Sequence, residues 1–188
     1  MKRYGESNLF SSFSHFPFSF FLSFFLSSFL QVIIMDADMV VLKPVDHLFE
    51  VEELGAAVDC CDKFNSGLMV LRPSSATFRD MLNQIATLPS YDGGDQGFLN
   101  EYFQHKWQQI PYIYNAVQTT YSTGAWQLDE VAVLHLMEHK PWKALSAENA
   151  YLGPLHDVWW GFSEDEDQCY HPSGTKRVEP SLEIPRAV

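Results

Sequence analysis

The chain has 188 residues, 46% of them hydrophobic and 15% aromatic, enough to bury one sizeable core, and a formal net charge of −12. Its 12 basic residues form no run beyond Lys2-Arg3 and Lys176-Arg177, which excludes nucleic acid as a partner, because a polyanion has to be met by a basic patch. Three cysteines, two of them adjacent at Cys60 and Cys61, make neither a disulfide framework nor a CxxC metal knuckle, and are expected reduced and partly buried.

Residues 1–31 stand apart. After Lys2 and Arg3, positions 10–30 are almost entirely Phe, Ser and Leu. The run resembles a signal peptide or an anchor, yet no small-x-small cleavage site is present, and Pro17 and the serines weaken a span that needs about 20 apolar residues. Phe, Ser and Leu are also what pyrimidine-rich codons encode, and Gln31, a CAG or CAA codon, closes the run. A translated intron is therefore a second reading, and a folded segment a third. The segment is set aside as non-native or targeting-like. A membrane is expected as partner only if it is a genuine anchor, and the location, cytoplasmic or Golgi and membrane-associated, stays open.

Val32 to Met35 reads as a buried strand, and carboxylates follow it at Asp36 and Asp38 with one residue between. If this strand belongs to a parallel sheet, its carboxyl end lies on the rim of a cleft, where ligands gather. Hard oxygen ligands there suit Mg²⁺ or Mn²⁺, although an acidic loop in an acidic chain is the plainer explanation. Val45 to Phe49 reads as a short helical turn after Lys43-Pro44, and Leu54 to Val58 as a short buried strand. Cys60 to Lys63 is a polar connection. Phe64-Asn65-Ser66-Gly67 then opens the apolar run LMVL, either as a tight turn or as a strand start that offers hydrogen bonds and close backbone approach.

Ser74 or Ser75 can cap a helix that carries Phe78, Met81, Leu82 and Ile85 on one face and ends by Pro89. A loop, Tyr91 to Gly94, leads into a second helix with Phe98, Leu99, Tyr102 and Phe103 at helical spacing. Asp95 at its start is an N-cap by default; the functional alternative has Asp95 and Gln96 touching the hydroxyls of a ligand. Gln109 to Asn115 is expected to be extended through Tyr112 and Ile113, and Val131 to Leu136 to be a strand carrying His135 near its end. Such a histidine is a hydrogen-bonded core residue or a ligand. Lys140 beside Trp142 favours an anion site. Ala147 to Trp160 reads as helix in two pieces around Gly153-Pro154, and residues 163–188 as an acidic and polar tail.

Taken in order, DAD at 36–38, FNSG at 64–67, GGDQGFLN at 93–100, IPYIYN at 110–115 and H-x4-KPW at 135–142 resemble the glycogenin-type glycosyltransferases of family 8. The resemblance runs over about residues 32–160 and implies an α/β fold, the Rossmann-like GT-A nucleotide-sugar transferase domain, at residues 32–162. It implies transfer of a hexosyl unit, glucose in the commonest case, from a UDP-sugar to a sugar, glycan or protein acceptor, with retention and with Mn²⁺. Asp36, Asp38 and His135 would then be metal ligands and Lys140 a diphosphate contact. Asn65, Ser66 and Gly67 would hold the sugar, and Asp95 and Gln96 would line the reacting face, Asp95 as nucleophile or as a steadying charge. Two departures stand out. One residue fewer separates His135 from Lys140 than in the family, and the strands that precede the DxD strand there have no counterpart among residues 1–31, so the N-terminal part of the domain is expected to be missing.

Two rival classes fit parts of the pattern. A strand followed by Asp36-Ala37-Asp38-Met39-Val40 also opens haloacid-dehalogenase phosphatases, but Gly94-Asp95 is followed by QGFLN, without the second acidic residue those enzymes need. The other rival is a truncated, inactive fragment that binds metal or sugar weakly.

Overall fold

The computed structural model describes residues 29–162. The expectations for residues 1–28 and for the tail 163–188, Cys169 included, lie outside the described residues. Among the described residues no helix is long and apolar enough to cross a membrane. The chain divides into two compact units, one formed by residues up to Met35 together with Asp46–Pro111, the other by Asp36–Val45 together with Tyr112 onward.

The first unit holds strands β1 (Val32–Met35), β3 (Gly55–Val58), β4 (Phe64–Leu71) and β5 (Gln108–Ile110), in the order β1-β4-β3-β5. β4 is antiparallel to both neighbours, with Val32 opposite Leu71 and Gly55 opposite Val70, and only β3 and β5 run parallel. The sheet is thus mixed, and β1, whose partner β4 is antiparallel, does not stand in the parallel setting on which the cleft-rim expectation for Asp36 and Asp38 depended. Among the described residues β1 lies at the sheet edge with a strand partner on one side, and it is half-buried, with Met35 exposed. Gly55 permits the centre to close: a Cβ there would stand 2.5 Å from Val51 Cγ1.

FNSG at 64–67 is strand rather than a tight turn. β1 reaches only Leu68–Leu71, so side chains serve the backbone that it leaves. Asn100 accepts from Phe64 N–H at 2.9 Å and donates to Phe64 C=O at 2.9 Å, Gln96 Oε1 accepts from Ser66 N–H at 3.1 Å, and Asn65 Oδ1 from Gly67 N–H at 2.9 Å. Helix α1 (Ser75–Gln84) starts at Ser74, whose Oγ accepts from Thr77 N–H, and lays Phe78, Met81 and Leu82 on a core of Leu54, Phe64, Met69, Leu71, Phe98 and Leu99. Helix α2 (Asp95–Tyr102) has Gly94, not Asp95, as its N-cap residue. Asp92 performs the cap's work from the loop, its Oδ1 accepting from Gly94 N–H at 2.8 Å and Gly97 N–H at 3.0 Å. Cys60 and Cys61 are free and exposed rather than partly buried, because they occupy the turn that joins β3 to β4, where Cys61 adopts φ 57°.

The second unit holds β2 (Met39–Val41), β6 (Ala116–Val117) and β7 (Val133–His135), ordered β2-β7-β6, with β2 antiparallel and β6 parallel to β7. The stretch expected to be extended through Tyr112 and Ile113 coils instead into a 3-10 turn, Tyr112–Tyr114. Tyr112 folds back there, its hydroxyl accepting from Val117 N–H and meeting Thr120 Oγ1 at 2.9 Å. The two helical pieces expected around Gly153-Pro154 are a 3-10 helix, Ala147–Leu152, and helix α3 (Gly153–Gly161), with Pro154 in its first turn where no N–H is missed. Val40, Trp126, Leu134, Leu136, Leu155 and Val158 form this unit's core.

Asn100 is buried and holds both backbone groups of Phe64, so truncating it leaves an N–H and a C=O without partners. Asn100→Ala is expected to lower the unfolding free energy by about 2–4 kcal/mol, read as a shifted urea midpoint with an unchanged slope.

Candidate functional site

In the second unit, strand register assembles the acidic motif. β1 ends at Met35, the chain turns through Asp36-Ala37-Asp38 with Met39 N–H on Asp36 C=O at 3.2 Å, and β2 then pairs Met39 with His135. Leu136 N–H donates to Asp38 C=O at 2.9 Å and fixes that register beyond the strand end. The result places His135 Nε2 3.4 Å from Asp38 Oδ1 and 3.8 Å from Asp36 Oδ2, and one donor atom of each residue lies within 4.8 Å of the others. Asp38 and His135 are buried and Asp36 is exposed. Asp38 therefore sits deeper than the open rim expected for it.

His135 has its Nδ1 2.8 Å from Oδ1 of Asn115, a residue that is itself buried. A carbonyl oxygen only accepts, so Nδ1–H of His135 donates to it, and Nε2 is turned to the two carboxylates. Lys140, half-buried, donates from Nζ to Asp38 Oδ2. Burial by itself would raise the Asp38 carboxyl, but the hydrogen bonds and charges of His135 and Lys140 outweigh it and hold the group well below the usual carboxylate range. A carboxylate so depressed stabilises the fold above the ordinary carboxylate pKa, and that stability is lost as pH falls toward its folded value.

The first unit gathers the other candidate residues. Ser66 Oγ lies 3.4 Å from Asp95 Oδ2, and Ser66 N–H binds the Gln96 amide oxygen. The Gln96 amide nitrogen donates to Asp59 Oδ2 at 3.1 Å and to the Tyr91 hydroxyl at 2.9 Å. Burial pushes the Asp95 carboxyl up and the charge of Asp92 adds to this, against the hydrogen bonds from backbone N–H groups and Ser66. Asn65 is buried, and its Oδ1 is taken by the Gly67 N–H of its own strand. At Gly97 a Cβ would stand 2.4 Å from both Asp92 Oδ1 and Ser90 Oγ, and 2.7 Å from Tyr91 N.

The structure thus brings Asp36, Asp38, His135 and Lys140 together in one unit, and Ser66, Asp95 and Gln96 together in the other. Sequence reasoning gave no role to Asn115, although it closes the IPYIYN motif, nor to His156 and Trp160, whose i, i+4 spacing on α3 was the only available sign.

Because burial makes the Asp95 carboxyl harder to ionise in the folded chain than in the unfolded one, its ionisation works against folding. The stability that this group lends is complete below the ordinary carboxylate pKa and declines as pH rises through its elevated folded value. Asp95→Asn, which stays neutral, is expected to melt higher than the native chain at pH 7, with the difference shrinking as the pH is lowered toward about 4; melting curves across that range measure it.

Residues 59–146 match the family model for glycosyl transferase family 8, and a model for a mannosyltransferase family matches residues 2–55. Glycogenin-1 of Oryctolagus cuniculus is 38% identical over 153 residues, covering 68% of this chain and 46% of that protein. UDP-glucuronate:xylan alpha-glucuronosyltransferase 1 of Arabidopsis thaliana is 35% identical over 125 residues, covering 60% of this chain and 19% of that one. The chain therefore spans less than half the length of these curated relatives. Among solved structures, the glycosyltransferase GlyE of Streptococcus pneumoniae TIGR4 superposes with a TM-score of 0.60 at 23% identity, over 76% of this chain and 43% of that one. The galactosyltransferase LgtC, solved with donor and acceptor sugar analogues, superposes with a TM-score of 0.53 at 19% identity, over 79% and 72%. The fold is that of the GT-A glycosyltransferases, and the chain belongs to the glycogenin-like glycosyltransferases of family 8.

Proposed function

We propose that this chain serves the transfer of a hexosyl unit, glucose first, from a UDP-sugar to a sugar, glycan or protein acceptor, with retention at the anomeric carbon and with Mn²⁺ as cofactor. The observation that carries the reading is the cluster of Asp36, Asp38 and His135, with Nε2 of the imidazole turned to the carboxylates by Asn115. Two carboxylates and an imidazole suit a divalent ion of intermediate hardness, and the Lys140 ammonium on Asp38 shows that the site favours positive charge. The residues therefore fit the cofactor. A divalent ion bound there supplies Lewis-acid stabilisation of diphosphate oxygens.

The chain's own groups account for the rest. Lys140 offers a second positive charge to the diphosphate as the bond from the anomeric carbon to its leaving oxygen breaks, when negative charge grows on that oxygen. Asn65, Ser66 and Gly67 are assigned to the sugar by the resemblance, and Asp95 and Gln96 to the reacting face. Burial suits Asp95 to that role: a carboxylate poor in water is a stronger hydrogen-bond acceptor and a better partner for positive charge developing at carbon. UDP-glucuronate is the second reading of the donor, favoured by the glucuronosyltransferases among the relatives.

Two measurements test the proposal. UDP is expected to bind only with Mn²⁺ present, and Asp38→Asn to weaken that binding by about tenfold or more, since ligand-sphere changes cost ~10- to 100-fold. Calorimetric titration with and without Mn²⁺ reads it, and equal affinity in the two conditions refutes the metal site. Asp95→Asn is expected to lower kcat by about 100-fold or more while UDP affinity stays near that of the native chain. Near-normal turnover in that variant removes Asp95 from the chemistry.

A further inference from the structure

Lys140 sits in a segment without regular structure, MEHKPWK, between β7 and the 3-10 helix at Ala147–Leu152. A lysine carries its charge on a flexible four-carbon stem, so a fixed ammonium position requires a fixed backbone. Strand pairing cannot provide it, because β7 ends at His135.

The anchor comes from α3. His156 Nε2 lies 2.9 Å from the carbonyl oxygen of His139, and Trp160 Nε1 donates to the carbonyl oxygen of Pro141 at 3.0 Å. These carbonyls belong to the two residues on either side of Lys140. His156 and Trp160 are one turn apart on one helix face, separated by about 6 Å along the axis, which is within the span of at most ~7 Å that two residues of chain can cover. The His139 carbonyl also accepts from the Gln118 amide at 3.3 Å, and Lys143 N–H closes a turn onto Lys140 C=O at 2.9 Å. A carbonyl only accepts, so Nε2 of His156 carries the proton. The Trp142 and Trp159 rings, 5.7 Å apart and tilted by 59°, add a contact just past the second carbonyl. Leu155 and Val158 are buried in a common core with Leu134 and Leu136, the residues that flank His135. The helix that holds the Lys140 segment is thus seated on the strand that carries the imidazole.

We propose that His156 and Trp160 are positioning residues for Lys140, a two-point clamp on the carbonyls before and after it that sets where its ammonium can reach. The clamp rests on the reading of Lys140 as a diphosphate-facing cation only for its functional consequence; its structural consequence is independent. Reductive methylation of the 188-residue chain, followed at each lysine by mass spectrometry, reads the structural part. Trp160→Phe, which keeps a ring and loses the donor, and His156→Phe are each expected to speed methylation of Lys140 several-fold while Lys43, Lys63 and Lys106 keep their native rates. His156→Gln, which can still donate, is expected to return Lys140 toward the native rate. An unchanged Lys140 rate in folded Trp160→Phe and His156→Phe variants overturns the clamp, and so does acceleration at all lysines alike, which would mean general loosening.

UDP titration with saturating Mn²⁺ reads the functional part. Each variant is expected to lose about tenfold in affinity, equivalent to ~1.4 kcal/mol, and to lose nothing further in a Lys140→Ala background. Equal losses in both backgrounds overturn the action through Lys140. Failure of the native chain to bind UDP with Mn²⁺ counts against the proposed transferase function, and the methylation rates then still decide the clamp.

Discussion

The pairing of β2 with β7 is the constraint on which the second unit depends. Two short strands, Met39–Val41 and Val133–His135, lie antiparallel, and the hydrogen bond from Leu136 N–H to Asp38 C=O extends their register by one step. Slipping that register by one residue would turn His135 to the opposite face and send its neighbour Leu134 toward the carboxylates. The pairing also brings two negative charges close together in a partly dehydrated place, a cost that His135 and Lys140 offset through the hydrogen bonds that depress Asp38. Geometry and electrostatics therefore constrain each other: the register creates the charge cluster, and the contacts of His135 and Lys140 with Asp38 make the register tolerable.

The first unit solves a different problem with similar economy. β4 is longer than β1, and its first four residues would leave backbone groups without a strand on that side. Asn100, Gln96 and Asn65 supply the missing partners from side chains. This binds the start of α2 to the start of β4, so that Ser66 and Asp95 meet as a by-product of satisfying buried amides. Gln96 has its amide oxygen and nitrogen engaged at once, with Ser66 on one side and Asp59 and Tyr91 on the other. Its orientation is set by the protein before any ligand arrives.

Much of this could be read in the amino-acid sequence, and the reasons for the misses are specific. Apolar periodicity located β1, β3, β7 and α1, and the Gly153-Pro154 step located the break before α3, because each signal is local and follows from burial on one face. The acidic motif, the histidine and the lysine were legible as chemistry, and the structure brings Asp36, Asp38 and His135 within reach of one another. The FNSG strand was ambiguous because its hydrogen-bond partners lie about 30 residues away on α2. Asp95 looked like an N-cap because the cap that replaces it, Asp92, acts from inside a loop where spacing carries no signature. Tyr112–Tyr114 looked extended because the hydroxyl that curls it back is bonded to a backbone group five residues away. Strand direction was not legible at all, because antiparallel and parallel partners bury similar side chains, and the choice is made by connections rather than by composition.

Gly97 shows how closely the start of α2 is built against its own loop. Alanine is the better helix former by about 1 kcal/mol, so an isolated helix with this sequence would gain from the exchange. In the folded chain the added methyl would strike Asp92, Ser90 and the backbone of Tyr91 together, and these are the groups that cap the helix and carry the tyrosine bonded to Gln96. Secondary-structure preference and tertiary fit are opposed at this one position. A search for stabilising substitutions guided by helix propensity alone would choose Gly97 early, and it would loosen the loop on which Gln96 depends.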